Sequence, residues 1–125
     1  MILLDTHVLV WLHGGQRDRI PPAVQRRLSD EPLGVSPFVG LELAYLYEVG
    51  KVRSPSGAVL EELVPALELV VADVPAAVVC EAAQGLTWTR DPFDRLLAAQ
   101  AVASGATLVT KDEVIREHLP LAWWG

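Results

Sequence analysis

Short apolar runs alternate along the chain with longer stretches in which apolar residues recur at helical spacing. Residues 1–4, 33–36, 67–72, 106–109 and 121–124 read as strands, the last as an edge strand. Between them lie predicted helices over 7–13, closed by Gly14 and Gly15, and near 23–28, opened by Pro21 and Pro22. The run FVGLELAYLYEVG from Pro37 is a third helix, with Gly50 placed to end it. A loop at Ser54-Pro55-Ser56-Gly57 precedes a helix over 58–66, and Pro75 opens another that runs to Gln84. The clearest helix start is RDPFDRLLAAQA. Asp91 is a good N-cap, Pro92 suits the first helical position, and Asp94 places negative charge in the first turn. Arg95, four residues after Asp91, is spaced to pair with it. A short helix to about His118, stopped by Pro120, completes the pattern. Strands and helices in alternation predict one three-layer α/β domain over residues 1–125 with a mainly parallel central sheet.

Composition narrows the function classes. Hydrophobic residues make up 51% and charged residues 21%, a balance that excludes a disordered chain. Cys80 is the sole cysteine, which rules out an internal disulfide or a cysteine-only zinc site; its apolar surroundings over 76–83 predict an inert core thiol. The apolar N-terminus has no basic leader and is interrupted by Asp5, and no segment approaches a membrane span, so a soluble, unprocessed, cytoplasmic protein is expected. The net charge of −6 argues against a broad electrostatic footprint on nucleic acid, yet a metal-holding carboxylate cluster would itself supply much of it.

Four carboxylates stand out by position. Asp5 and Asp112 each follow an apolar strand, so both should emerge at the same edge of a parallel sheet, where ligands gather. Asp94 lies at a helix N-terminus. Glu42 is the only charged residue from Phe38 through Tyr47, and its neighbours three and four positions away are Phe38, Val39, Tyr45 and Leu46. A carboxylate in that company needs a partner, a metal or a raised pKa. Capping explains each aspartate singly; it does not explain Glu42. Converging carboxylates without Cys, and with His7, His13 and His118 scattered, suit a hard cation such as Mg²⁺ or Mn²⁺, whose usual chemistry is phosphoryl transfer. No Gly-x-Ser-x-Gly setting or phosphate-binding glycine loop offers a competing chemistry. Trp123 and Trp124 read as packing residues.

The segments LLDTHVLVW, SPFVGLELAYLYEVGKV, LTWTRDPFDRLLAAQA and TLVTKDEVIREH, in that order and spacing, make the chain resemble PIN-domain ribonucleases, and among them the VapC-type toxins of toxin–antitoxin modules. The resemblance implies a Mg²⁺-dependent endoribonuclease, with Mn²⁺ as a substitute, built on Asp5, Glu42, Asp94 and Asp112. Asp5 and Asp94 would ligate metal. Glu42 and Asp112 would complete the cluster and help orient the attacking water, with Thr6 and Thr110 as hydroxyls lining the site. Asp91 could be a fifth carboxylate, although an N-cap explains it better. The products implied are a 5′-phosphate and a 3′-hydroxyl. The partners implied are RNA, a cognate VapB-type antitoxin whose C-terminal segment reaches the site, and a second copy in a homodimer. Among basic residues, Arg90, Arg95 and Lys111 lie nearest in sequence to the acidic motifs and are the expected RNA contacts. A phosphate-accepting receiver domain fits less well: it needs an acidic pair after the first strand, where Asp5 is followed by Thr6 and His7, and it gives Glu42 no role. A PIN-like module that binds without cleaving is the other alternative.

Overall fold

The computed structural model describes residues 1–125. In chain order the elements are β1 (Ile2–Leu4), α1 (Thr6–His13), a 3-10 turn (Arg17–Arg19), α2 (Pro22–Asp30), β2 (Leu33–Val35), α3 (Phe38–Glu48) and α4 (Ser56–Leu67). Then follow β3 (Val70–Val71), α5 (Ala76–Gln84), α6 (Pro92–Ser104), β4 (Thr107–Val109), α7 (Glu113–His118) and β5 (Ala122–Trp123). The sheet runs β3-β2-β1-β4-β5, and every pairing is parallel. Parallel strands need crossover helices, and right-handed crossovers place those from β1 to β3 on one face and those from β3 to β5 on the other. The result is the expected three-layer α/β architecture.

The middle of the sheet is covered on both faces. Ile2, Leu3 and Leu4 are at most 2% exposed, as are Leu108 and Val109, so β1 and β4 read as unbroken apolar runs rather than alternating ones. Strand order reverses direction at β1, whose neighbours are β2 on one side and β4 on the other. Beyond the carboxyl ends of β1 and β4 lies the crevice where such a sheet binds ligands.

Three local expectations change. The strand expected over 67–72 is only Val70–Val71, because α4 continues through Leu67 and ends where Glu68 takes a left-handed φ of 51°. Cys80 is exposed, not in the core. Helix α5 turns Val79 and Ala83 inward against Ala99 of α6, which leaves position 80 on the solvent side. Arg95 does not pair with Asp91; its Nε donates to the Thr89 carbonyl at 2.8 Å, holding the loop before α6. At the other sheet edge β5 forms as expected, and Trp123 and Trp124 are partly buried against the core.

Candidate active site

Register builds the first part of the site. Leu4 lies opposite Val109, so the next residue on each strand emerges at the same edge. The Asp5 backbone N–H donates to the Val109 carbonyl at 3.0 Å, and the Thr110 hydroxyl donates to Asp5 Oδ2 at 2.6 Å. Asp5 stands at the N-cap position of α1, yet its side chain makes no capping bond and its carboxylate is turned to Thr110 instead. Thr110 Oγ1 also accepts the Asp112 backbone N–H at 3.1 Å, fixing the turn into α7. Asp112 does cap, accepting from the Ile115 N–H at 2.9 Å through Oδ1.

Helices supply the rest. Asp91 caps α6 by accepting from the N–H groups of Phe93 (2.8 Å) and Asp94 (3.1 Å). That capping leaves the Asp94 carboxylate, one turn inside the helix, free of a backbone role. Glu42 is 7% exposed in α3, and its partner is Thr6, whose hydroxyl donates to Oε1 at 2.5 Å. The adjacent residues Asp5 and Thr6 therefore connect β1 to two other parts of the chain: Asp5 to the end of β4 and Thr6 to α3.

Asp5, Asp94 and Asp112 line one open cavity of about 350 Å³ together with His7, Trp11, Lys111 and Glu113. A larger cavity of about 450 Å³ between α1, α2 and α4 brings no two carboxylates together, and we assign the chemistry to the smaller one. Glu42 does not line this cavity; it is bonded to Thr6, next to Asp5 in the chain, and is close enough to Asp5 and Asp94 to repel both electrostatically.

Protonation follows from this crowding. Burial pushes the Asp94 carboxyl up to about 7, helped by the negative charges of Asp91, Asp112, Asp5 and Glu42. Burial likewise raises Asp5, against the opposing pull of the Thr110 hydroxyl and of His7. Glu42 is raised by burial too, with its Thr6 hydrogen bond working the other way. The carboxylates share the cavity without any three acidic or histidine side chains closing to metal-holding distance. The donor set itself is all oxygen, with no thiolate and one histidine at the wall, and a positive charge placed among these groups would relieve their repulsion. It fits a hard divalent cation.

Comparison with known proteins places the chain in a family. The family model described as "PIN domain" matches residues 2–118. The chain belongs to the PIN domain family. Within it, the chain is 30% identical over 120 residues to the Mycobacterium tuberculosis protein named Ribonuclease VapC22, covering 94% of this chain and 91% of the relative. Its fold is also that of a chain in the crystal structure of VapBC2 from Rickettsia felis bound to a DNA fragment from their promoter. There the TM-score is 0.68 at 22% identity, covering 98% of this chain and 96% of the other.

In this PIN domain the cavity wall also includes residues that the motif reading passed over. His7 and Trp11 are one helical turn apart on α1, so both face the same way, and both line the acidic cavity. Their spacing from Asp5 was the available signal. Of the three basic residues expected to meet RNA, only Lys111 is at the cavity. Arg90 donates from Nη1 to the Thr87 carbonyl at 2.8 Å and, like Arg95, is tied to the loop before α6.

Proposed function

We propose that this PIN domain is an endoribonuclease that uses Mg²⁺, or Mn²⁺ in its place, and that it is the toxin of a toxin–antitoxin pair. The observation that supports the reading best is the meeting of Asp5, Asp94 and Asp112, from three separate elements, in one cavity at the strand-order reversal. Asp5 and Asp94 are the residues that would hold the cation. When bound there, it would polarise a phosphate oxygen and lower the pKa of a bound water. Thr110 orients the Asp5 carboxylate, and Thr6 does the same for Glu42. Asp112, held by α7 and by Thr110, presents a fixed oxygen that can direct a water toward phosphorus. Products with a 5′-phosphate and a 3′-hydroxyl follow if that water attacks and the 3′ oxygen leaves.

The name of the M. tuberculosis relative supports ribonuclease activity, and the Rickettsia felis neighbour, solved as VapBC2, supports a VapB-type antitoxin as partner. The net charge of −6 suits a basic antitoxin segment. A homodimer is supported by exposed apolar side chains, among them Leu41 and Tyr45 of α3 and Val78 of α5. No helix is long and apolar enough to cross a membrane.

The test is cleavage of a mixed cellular RNA pool by the purified chain free of antitoxin. It is run with Mg²⁺, Mn²⁺ or EDTA, with Asp5→Asn and Asp94→Asn in parallel. Discrete fragments bearing 5′-phosphates, lost in EDTA and in either variant, are the expected result. Folded protein that cleaves nothing in either metal would refute the nuclease reading and leave a binding module.

A further inference from the structure

Trp11 has surroundings that packing alone does not require. Its ring is half-buried, with one edge against Trp124 at a centroid distance of 5.9 Å, and it forms part of the wall of the acidic cavity. Two cations from distant parts of the chain are placed over this one indole. The Lys111 ammonium is 5.8 Å from the ring centroid and the Arg19 guanidinium 5.9 Å, and both side chains are otherwise exposed. Neither makes an ion pair with a carboxylate, although Lys111 lies beside Asp112 and Glu113. His7 adds a second ring, exposed and tilted, at 6.3 Å from Trp11.

Both cations lie over the indole when no strand is bound. Their exposed side chains, held by no ion pair, can turn outward to phosphates and uncover the ring for a base, which is how proteins track a single nucleic-acid strand. This arrangement gives an acidic chain a local positive strip next to its carboxylates. We propose that Trp11, with Lys111 and Arg19, forms a stacking platform for an unpaired RNA base flanking the phosphate held in the carboxylate cavity. The platform deepens the nuclease reading and rests on it for the identity of the strand.

The measurement is KM and kcat on a labelled single-stranded oligoribonucleotide taken from a site the wild-type chain cuts, for Trp11→Leu, Trp11→Phe and Arg19→Gln. Arg19 is exposed and outside the core, so its variant folds if the parent does. Trp11→Leu should raise KM about tenfold with kcat within about threefold, and Trp11→Phe should recover most of the loss. Arg19→Gln should weaken binding and flatten the salt dependence of KM by roughly one phosphate contact. The same oligonucleotide in duplex form should compete poorly. Unchanged KM in Trp11→Leu and Arg19→Gln, with Asp94→Asn still abolishing cleavage, would overturn the platform and leave the nuclease standing. If the wild-type chain cuts nothing, quenching of tryptophan fluorescence by single-stranded oligoribonucleotides decides the platform separately. Quenching that Trp11→Phe removes supports it, and absence of quenching overturns it.

Discussion

Asp94 carries the sharpest consequence at the scale of single residues. Its folded-state pKa of about 7 lies well above the ordinary 3.8, so between those values the native chain keeps a proton that the unfolded chain has released. Native stability therefore falls as pH rises through that window. Asp5 and Glu42 are displaced in the same direction and add to the trend. In EDTA the protein should melt several degrees higher at pH 5.5 than at pH 8. Asp94 alone would contribute on the order of 1–2 kcal/mol after allowance for solvent screening. Asp94→Asn should raise the pH 8 melting temperature and flatten the profile, even as it removes cleavage; a calorimetric pH series checks both. A profile that rises with pH would mean that the carboxylates are not crowded as described. Glu42 is the residue whose importance the sequence displayed most openly, since nothing polar surrounds it at helical spacing. Its partner was hidden. Thr6 is 36 positions away, and only the packing of α3 beside α1 brings the hydroxyl within reach.

Among the elements, α6 separates two roles that its motif confounds. RDPFDR contains a capping aspartate and an unbonded one, and the hydrogen bonds assign the cap to Asp91. Asp91→Ala should cost about 1 kcal/mol of stability by denaturant melt while leaving cleavage within about threefold of wild type. Asp91→Asn, which can still cap, should preserve both. Loss of cleavage in the Asn variant would instead make Asp91 a fifth member of the site. The same distinction shows where local pattern informs and where it stops. The start of α6 and the end of α3 were legible because Asp91, Pro92 and Gly50 act on the residues next to them. The end of α4 was not, because Glu68 adopts a left-handed backbone with no glycine to announce it. Cys80 was misplaced because an almost wholly apolar helix gives its buried side little contrast with its exposed one, and only contact with α6 selects Val79 and Ala83. Parallel pairing followed from helices between strands, while strand order and register depended on contacts far apart in the chain.

For the whole molecule, the carboxylates act as one charged object distributed over several secondary-structure elements. A cation bound among them should stabilise every element that contributes a ligand. At pH 8, Mg²⁺ at a hundredfold excess over its dissociation constant should add about 2.7 kcal/mol, read as a rise in melting temperature. The combined Asp5→Asn and Asp94→Asn variant should lose that rise while keeping a cooperative transition, and an equal rise in that variant would place the cation elsewhere. The hydrogen bond from Thr110 to Asp5 also fixes when the site can exist. Strand β1 is made early, but its neighbour β4 and the aspartate at the start of α7 are made much later, and without them Asp5 has neither its orienting hydroxyl nor its companion charge. A ribosome translating this chain must pass Asp112 before the cavity can form. The growing polypeptide thus lacks the assembled carboxylate cavity until nearly all of its residues have been joined.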